Sequence, residues 1–413
     1  MTRSQTSNTP TPVNIVRIRS KKCGRHEKSK EKLKVDLVNE DDVGPTVKPK
    51  KRKIKDDGES GLDCISKEQR FAIRCKLNER KAKLKVGDFY IQPVDHFHNR
   101  ISSHTETDIV SMLKQYLTDT QLQMFRASCF GYFLDLPQFK IQNQLIHYIL
   151  LREVIPGWER ELWVKINGCL LRFGIGAFVV ITGLKCVEED ATFYDKPDVN
   201  RLLKEYFPGD GKKAISRGQL LDRFKKKDWK SDEDAFKMAL MAFVHHCIFS
   251  DANNHGINKD DFDIIESGQC HTYAWGKKSF EDILKTMRDK QCDYLTMYRL
   301  GGLPLALQIW FFECCYMVDK HLAIRVGTNV PRILNWKVNE TPTYADLTGG
   351  VIMSSIDKLN YRNISPTREE MSTLNITTLF EVNAADVASG EVPAFHTDNS
   401  VFASPPCPQN MEQ

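Results

Sequence analysis

Side chains that can bind zinc occur in the second half of the chain, at His245, His246, Cys247, Cys270 and His271. A structural zinc site needs four ligands in a tetrahedron, and sequences usually supply them as Cys-x2–4-Cys and His-x3–5-His pairs. This spacing is missing here, and His245 and His246 would project about 100° apart on a helix. We therefore interpret the five residues as parts of the core or of helix ends, and we predict no metal ion and no cofactor.

Three loops resemble sites for calcium or phosphate without completing them. Counting from Asp251, a calcium loop needs an oxygen ligand at its fifth position and a bidentate glutamate at its twelfth, where this chain has His255 and Phe262. The runs of Gly and Lys at 209–213 and 276–279 lack the Gly-x4-Gly-Lys-Ser/Thr spacing that cradles a phosphate. We interpret all three loops as solvated turns.

The sequence does not place a nucleophile beside a base. The chain lacks the G-x-S-x-G and H-E-x-x-H motifs and the protein-kinase set. We predict that the chain is not an enzyme, and we assign no catalytic and no cofactor-binding residues.

The charge of the chain is unevenly distributed. The 413 residues include 59 Lys and Arg and 54 Asp and Glu, which gives a formal net charge of +5. Residues 1–85 carry a net charge of +12, which leaves −7 for residues 86–413. A cationic segment attracts polyanions and import receptors through its field, so DNA is one partner that we expect for it. A basic face around Lys225, Lys226 and Lys227 is the alternative DNA-binding surface, although such a run is more often a solvated helix end.

Residues 1–60 are polar, contain few aromatic residues and show no sustained periodicity. Such a segment cannot bury enough apolar surface to offset its chain entropy, so we predict a disordered basic arm. Its densest cluster resembles a monopartite nuclear import signal, for which a solvated charge run is the alternative. We predict nuclear localisation and an import receptor as a partner, through Lys48, Lys50, Lys51, Arg52, Lys53 and Lys55.

Signals for secretion or membrane insertion are missing from the sequence. Residues 1–12 are polar, and no stretch approaches the roughly 18 to 20 apolar residues of a membrane span. The 12 cysteines are spread without pattern, which favours reduced thiols in a cytosolic or nuclear protein. We expect no membrane partner.

Apolar residues recur at helical spacing through the middle of the chain, and we predict a mainly α fold with a small β-hairpin (α+β). The predicted helices cover 108–117, 121–128, 137–152 with Pro137 in its first turn, 175–182 closed by Gly183, and 303–318 as a central buried helix. Others begin at Ser231, through a capping box with Asp234, and at Ser279. The predicted domains are the disordered basic arm (1–60), a basic helix and connector (61–104), a helical domain (105–340), and a polar, weakly structured to disordered tail (341–413).

The sharpest local signal is Asn167-Gly168 between two apolar runs, 162–166 and 169–173. Asn-Gly is the preferred turn of a two-residue hairpin, because both turn positions need positive φ. The turn pairs the following residues on one apolar face, which should be buried: Ile166 with Cys169, Val164 with Leu171, and Leu162 with Phe173. The opposite face pairs Trp163 with Arg172, which favours a cation–π contact. An isolated hairpin is marginally stable, so we expect this one to pack against helices.

Several motifs follow one another through the middle of the chain. They are Leu162-Trp163-Val164-Lys165-Ile166-Asn167-Gly168, Tyr273-Ala274-Trp275-Gly276-Lys277-Lys278-Ser279-Phe280, and the runs 130–136, 144–153, 171–174, 178–186, 303–310 and 331–336. Over roughly residues 105–340 they resemble a plant family of domains of unknown function, which occurs in transposon-related proteins, often upstream of a ubiquitin-like-protease (SUMO protease) domain. Where the family has Tyr-Pro-Trp-Gly-x-x-Ser-Phe, this chain has Ala274 in place of the proline. A fainter likeness is to the plant mobile domain, another transposon-associated helical module.

The resemblance implies plant origin and transposon ancestry but supplies no catalytic residues. A SUMO protease would need a His-Trp and an Asp-Cys-Gly segment, and this chain has neither. The tryptophans within the motifs have apolar neighbours, so we expect core positions for Trp163, Trp275, Trp310 and Trp336.

We therefore expect a non-enzymatic nuclear interaction module of plant transposon origin, whose molecular activity and protein partners stay open. One alternative is a non-specific DNA-binding accessory of a transposase that acts through the basic arm. The other alternative is the remnant of a SUMO-protease-like protein that lacks its catalytic domain.

Overall fold

Apolar residues at helical spacing produce a mainly α fold with a few short strands, and the predicted fold class is confirmed. The computed structural model describes residues 83–158, 160–187, 200–209, 214–288, 297–315, 318–348 and 361–376. All of them belong to one unit of the chain, residues 58–413. Outside the described residues lie the predicted basic arm with its import cluster, most of the predicted basic helix, and residues 377–413 of the predicted tail.

The helices and strands are short. The α-helices of the described residues are α1 (Ile109–Tyr116), α2 (Asp119–Arg126), α3 (Asn143–Leu150), α4 (Ile175–Thr182), α5 (Arg201–Tyr206), α6 (Arg217–Lys226), α7 (Asp232–Phe243), α8 (Lys259–Glu266), α9 (Trp275–Arg288), α10 (Pro304–Cys314), α11 (Tyr344–Thr348) and α12 (Arg368–Leu374). The strands there are β1 (Arg100–Ser102), β2 (Glu153–Val154), β3 (Leu162–Ile166), β4 (Cys169–Phe173), β5 (Met297–Arg299), β6 (Ala323–Arg325) and β7 (Trp336–Val338). In the part of the chain that the structure describes, no helix is long and apolar enough to cross a membrane.

The strands pair in small sheets. β2, β3 and β4 form an antiparallel sheet in that order, and β6 pairs with β7, also antiparallel. β1 and β5 form a parallel pair in which Arg100 lies opposite Met297. The apolar side chains of the helices form one cluster with those of the strands, among them Leu162, Val164 and Phe173 of the hairpin.

The predicted hairpin is confirmed in its register. β3 and β4 pair Leu162 with Phe173, Val164 with Leu171 and Ile166 with Cys169. The turn residues have the positive φ that the Asn-Gly pair favours, 49° at Asn167 and 78° at Gly168. The local sequence therefore determines this hairpin.

Side-chain contacts hold both faces of the hairpin in place. On the core face, the ring of Phe173 lies 5.6 Å from that of Phe280 in α9 and 5.2 Å from that of Trp310 in α10, as expected of a hairpin that packs against helices. On the other face, the guanidinium of Arg172 lies 5.1 Å from the ring centroid of Trp163. Glu161 accepts hydrogen bonds from Trp163 Nε1 (2.6 Å) and Arg172 Nε (3.0 Å), which fixes this predicted cation–π pair.

The predicted core helices and tryptophans are confirmed. α4 has the predicted bounds and ends at Gly183, whose φ is 69°. Every residue of α10 except Glu313 is buried, as predicted for the central helix, but α10 ends at Cys314 and not at the predicted Val318, because the backbone is extended at Cys315. The four tryptophans that the motifs indicate as core residues are buried: Trp163, Trp275, Trp310 and Trp336.

The predicted start of α3 at Pro137 is wrong, because the helix begins at Asn143. The preceding residue, Gln142, is fully buried. Its backbone N–H donates to Oε1 of Gln308 at 2.8 Å, and its side-chain Nε2 donates to the carbonyl oxygen of Leu322 at 3.0 Å. These contacts with distant parts of the chain hold the segment before α3 out of the helix.

The predicted start of α9 at Ser279 is also wrong, because the helix begins four residues earlier at Trp275. The hydroxyl of Ser279 is buried and donates to the carbonyl oxygen of Ile248 at 3.0 Å, so this serine joins two elements instead of capping a helix. The first turn of α9 is held by the backbone N–H of Gly276, which donates to Lys185 O at 2.8 Å.

The predicted capping box of α7 is half formed. Ser231 accepts a hydrogen bond from the backbone N–H of Asp234 at 3.1 Å. The carboxylate of Asp234 does not reach back to the cap, because it accepts from Arg201 Nη2 (2.6 Å) and from the hydroxyl of Tyr206 (2.5 Å). The first turn of α7 is therefore joined to α5.

The segment 341–413, predicted as weakly structured to disordered, contains two helices among its described residues, α11 and α12. α12 begins with a full capping box between Thr367 and Glu370. Glu370 is also paired with Arg332. Short amphipathic sequences of this kind are stabilised mainly by tertiary contacts, which the periodicity of the sequence does not reveal.

Candidate functional site

A buried polar cluster surrounds the C-terminal end of α7. The helix continues there as a π-helical turn, Val244–Ile248, and all five of its residues are buried. Turns of this type often occur at functional sites. The turn contains three of the zinc-type residues, His245, His246 and Cys247, so their contacts decide what the cluster can do.

His245 faces a carboxylate and, beyond it, a lysine. Its Nε2 lies 3.4 Å from Oδ2 of Asp261, and Lys278 Nζ donates to the other oxygen of Asp261 at 2.7 Å. Burial lowers the pKa of His245 more than Asp261 raises it. Burial would raise the pKa of Asp261, but His245 and Lys278 together hold it below its usual value. The group at the centre is thus an ionised carboxylate balanced by Lys278.

His246 faces Arg217, which is fully buried. Arg217 Nη2 donates to Nδ1 of His246 (3.2 Å), and Nε2–H of His246 donates to the carbonyl oxygen of Arg217 (3.1 Å). The guanidinium also donates to the carbonyl oxygens of His245 and His104. Burial is the main reason that the pKa of His246 falls to about 3 and that of Arg217 to about 10. His246 is therefore a neutral ring in one tautomer, held for structural reasons.

The cysteines of the zinc-type set have other contacts. Burial raises the pKa of the Cys247 thiol to about 12. The Sγ atoms of Cys270 and Cys129 lie 3.9 Å apart, and this contact together with burial raises the pKa of Cys270. Within the described residues, no group of three His, Cys, Asp or Glu side chains is placed to hold a metal ion.

A third buried histidine lies outside the residues that the sequence singled out. His147 of α3 lies between the hydroxyl of Tyr298, 3.0 Å from its Nδ1, and the carbonyl oxygen of Phe97, 2.8 Å from its Nε2. A carbonyl oxygen only accepts, so Nε2 carries the proton and Nδ1 accepts from Tyr298. Burial lowers the pKa of His147 to about 4.

The other candidate loops have structural contacts as well. Asp251, the first residue of the calcium-like loop, is paired with Arg299. In the basic run, Lys227 is the C-cap of α6 with φ 57°. Its Nζ donates to the carbonyl oxygen of Gln115 at 3.0 Å and lies 4.9 Å from the ring centroid of Tyr116. Lys227 therefore packs on α1 instead of projecting fully into solvent.

A cleft of about 330 Å³ opens at the surface beside the C-terminal end of α10. This volume is at the lower end of the range of small-ligand sites, about 300–1,000 Å³. Its walls come from α10, the following loop, the β6–β7 pair and the residue after Tyr361, and they are lined by Phe312, Glu313, Cys315, Val318, Lys320, Ala323, Ile324, Arg325, Trp336 and Arg362. We define these residues as the β6 cleft.

The floor of the β6 cleft is apolar and contains one carboxylate. The rings of Phe312 and Trp336 lie 5.4 Å apart. The Glu313 side chain is 4% exposed and accepts from Trp336 Nε1 at 2.7 Å and from Arg332 Nη1 at 2.9 Å. Two donors thus satisfy this carboxylate, and one of them, Arg332, is a cation that Glu313 shares with Glu370.

The rim of the β6 cleft is cationic. Lys320, Arg325 and Arg362 are exposed and line the cleft. Nη2 of Arg325 lies 3.9 Å from Glu313. Among the described residues, no carboxylate lies within ion-pair distance of Lys320 or Arg362. The rim therefore carries positive charge that the described part of the chain does not neutralise.

The strand that borders the cleft has an open side. Val326 N–H donates to Asn335 O at 2.7 Å, and Asn339 N–H donates to Leu322 O at 3.1 Å. In an antiparallel pair, backbone groups of alternate residues point to the partner strand. The N–H and C=O of Ile324 therefore point to β7, and those of Arg325 point to the outer edge of β6.

Sequence reasoning missed the β6 cleft altogether. Its residues come from four stretches of chain, and their spacing carries no motif. One signal was present: Glu313 is the single charged residue in the otherwise apolar run that forms α10. A charge in a buried helix needs a partner, and that requirement indicates a polar site at the C-terminal end of the helix.

Comparison with curated proteins and with solved structures finds no match. A family model does match part of the chain. The matched segment begins at the end of α3 and reaches into α9, so it contains the hairpin, α4, the π-helical turn and the Tyr273–Phe280 motif. The middle of the chain, residues 150–286, matches the model of the family described as Domain of unknown function (DUF1985).

Proposed function

We propose that the chain is a non-enzymatic interaction module that acts in the nucleus and descends from a plant transposon. The match to a family of domains of unknown function supports the kinship that the sequence motifs indicate. The rest of the proposal is supported by the sequence resemblance, the basic cluster and the surface of the described residues.

The observation that carries the proposal is the contrast between buried and exposed polar groups. His245, His246 and Asp261 are buried and engaged with neighbours in the core. The cations Lys320 and Arg362 lie at the surface, on the rim of a cleft with an apolar floor. An arrangement of this kind is suited to binding a partner, because anchor pockets with charged rims give affinity and orientation.

The nuclear part of the proposal is supported by the basic cluster after residue 47. A fluorescent fusion of the full chain should accumulate in plant nuclei. Changing Lys50, Lys51, Arg52 and Lys53 together to Ala should shift it to the cytoplasm. The matched control changes Arg80, Lys81, Lys83 and Lys85 to Ala, which removes the same charge from the first 85 residues. Unchanged nuclear accumulation of the first variant would contradict the import assignment.

Proximity labelling in plant nuclei with the intact chain tests the interaction part. Enrichment of a defined set of proteins over a nuclear-targeted fluorescent protein supports an interaction module. Enrichment of chromatin proteins alone would favour the second candidate function, DNA binding through the basic arm, which the charge of +12 on residues 1–85 supports.

The non-enzymatic part is tested against the SUMO-protease alternative. We expect no reaction of the purified chain with a SUMO vinyl-sulfone probe, because a cysteine nucleophile needs a positioned base and the chain has no His-Trp and no Asp-Cys-Gly segment. Covalent labelling that a single Cys→Ala change abolishes would contradict the proposal and would identify the nucleophile.

A further inference from the structure

We propose that the β6 cleft binds an extended acidic peptide of a partner protein, which pairs with the outer edge of β6. This inference rests on the proposed function as an interaction module and specifies its surface and the chemistry of its partner. Three independent features of the cleft support it: an open strand edge, an apolar floor and an unneutralised cationic rim.

The open edge provides the backbone contacts. The N–H and C=O of Arg325 point away from β7, and no described strand pairs with this side of β6. The N–H of Ala323 on the same side already donates to the carbonyl oxygen of Asp319 at 3.1 Å, so Arg325 provides the open donor and acceptor of this edge. An exposed edge of this kind is a template for another extended segment, whose backbone donates to and accepts from it. The strand is short, so the peptide needs side-chain contacts as well.

The apolar floor supplies the first side-chain contacts. Phe312 and Trp336 line the cleft together with the exposed side chain of Ile324, which is 42% exposed. Val326, just beyond β6, is 54% exposed. Ile324 and Val326 are two of the large apolar side chains that are exposed among the described residues, and they are two residues apart in the chain. An aliphatic side chain from the partner would cover this surface, and burying it would add affinity.

The rim determines the charge of the peptide. Lys320 and Arg362 have no carboxylate partner among the described residues. The lining of the cleft contains three cations, Lys320, Arg325 and Arg362, and one carboxylate, Glu313. The cleft therefore has a net positive charge, which attracts carboxylates and repels basic peptides. The partner that fits all three features is an extended segment in which aliphatic and acidic residues alternate.

A defined probe tests this inference on the full chain. The probe is a fluorescein-labelled peptide of seven residues in which Glu and Val alternate, and binding is measured by fluorescence anisotropy. The combined change Lys320→Glu and Arg362→Glu should weaken binding at least about tenfold. The matched control is the combined change Lys204→Glu and Lys337→Glu, which also reverses two exposed charges but at residues that do not line the cleft, and it should change the affinity less than about twofold.

Changes in the peptide test the edge pairing without any risk to the fold. A peptide N-methylated at the alternate residues whose N–H groups face β6 cannot donate to the carbonyl oxygen of Arg325, and it should bind at least about tenfold more weakly. A peptide with Gln in place of Glu should lose affinity to a similar extent. Equal binding of the N-methylated peptide would overturn the edge pairing. Equal weakening by the combined change Lys204→Glu and Lys337→Glu would overturn the role of the rim.

The chain's own C-terminal segment is the competing occupant. Residues 377–413 contain five Asp and Glu and no Lys or Arg. If the full chain binds the probe only after Glu381, Asp386, Glu391 and Asp398 are changed to the corresponding amides, the cleft is filled by this segment and the assignment to a partner is overturned.

Failure of this inference is distinguishable from failure of the proposed function. If the probe does not bind at millimolar concentration while proximity labelling still enriches a defined set of nuclear proteins, the β6 cleft is not the surface and the interaction module stands. If the probe binds and the chain enriches no protein, the cleft is confirmed and the proposed function fails.

Discussion

Arg332 joins two buried carboxylates that lie on different helices. Its Nη1 donates to Glu313 of α10 at 2.9 Å, while Nε and Nη2 donate to the two oxygens of Glu370 in α12 at 2.6 and 2.9 Å. The side chains of Arg332, Glu313 and Glu370 are 12%, 4% and 5% exposed. One guanidinium thus holds α12 against the core and satisfies the carboxylate in the floor of the β6 cleft.

Arg332→Met should lower the free energy of unfolding by about 3–5 kcal/mol, because it leaves two buried carboxylates without their cation. Arg332→Lys should recover only part of this loss, since an ammonium cannot make the bidentate contact. Urea unfolding measures both. The control is Arg126→Met, whose partner Asp135 is 59% exposed and whose loss should cost less than about 1 kcal/mol. If Arg332→Met and Arg126→Met lowered the free energy of unfolding equally, Arg332 would not be the cation that stabilises the two buried carboxylates.

The buried histidines should make the fold sensitive to mild acid. The pKa of His246 is about 3 and that of His147 about 4 in the folded chain, whereas an unfolded histidine has a pKa of about 6.5. Below about pH 6.5 the unfolded chain binds protons that the folded chain does not. The free energy of unfolding should therefore fall as the pH is lowered from about 6.5 to about 4. Each of the two histidines should contribute up to about 1.4 kcal/mol per pH unit to this fall.

The slope of the free energy of unfolding against pH tests this prediction independently of overall stability. His147→Gln or His246→Gln should each flatten the dependence between pH 6.5 and 4 in urea titrations, because one titrating group is removed. His271→Gln changes an exposed histidine and serves as the control. If the slope stayed the same in both buried variants, burial of these rings would not be the source of the acid sensitivity.

Gly276 allows α9 to approach the segment that follows α4. A Cβ at this position would lie 2.6 Å from Cys186 Sγ and 2.8 Å from Lys185 O. Gly276→Ala should therefore lower the free energy of unfolding by about 1–3 kcal/mol through overpacking. Gly209→Ala is the control, because its nearest contact would be an ordinary 3.9 Å. Thermal unfolding of the two variants gives the comparison, and a stable Gly276→Ala chain would show that α9 can shift.

DNA binding, where it occurs, should depend on the basic segment. Residues 1–85 carry +12 and residues 86–413 carry −7, so the full chain should bind DNA weakly, without sequence preference and with a steep loss as salt increases. A fragment that begins at Val86 should lose this binding while its helical circular-dichroism signal is retained. Electrophoretic mobility shifts of both chains at low and high salt measure the DNA binding. Sequence-selective binding by the fragment would indicate a local basic face, such as the one around Lys225.

The sequence predicts best where the determinants of structure are local. Asn167-Gly168 fixes the hairpin register through two φ angles, and Gly183 fixes the end of α4 in the same way. The start of α3 could not be predicted, because Gln142 is held by Gln308, which lies 166 residues away. The β6 cleft could not be predicted for the same reason, since Lys320, Arg325 and Arg362 meet through tertiary packing and share no motif.

The parallel pair of β1 and β5 has a consequence for synthesis of the chain. Ser102 and Met297 belong to strands that lie side by side, yet almost 200 residues separate them in the sequence. At about 5–20 residues per second, a ribosome needs roughly 10–40 s to reach β5 after β1 has been made. During that interval β1 has no strand to pair with, so its backbone groups and the apolar side chain of Ile101 stay accessible to chaperones and to aggregation until β5 has been made.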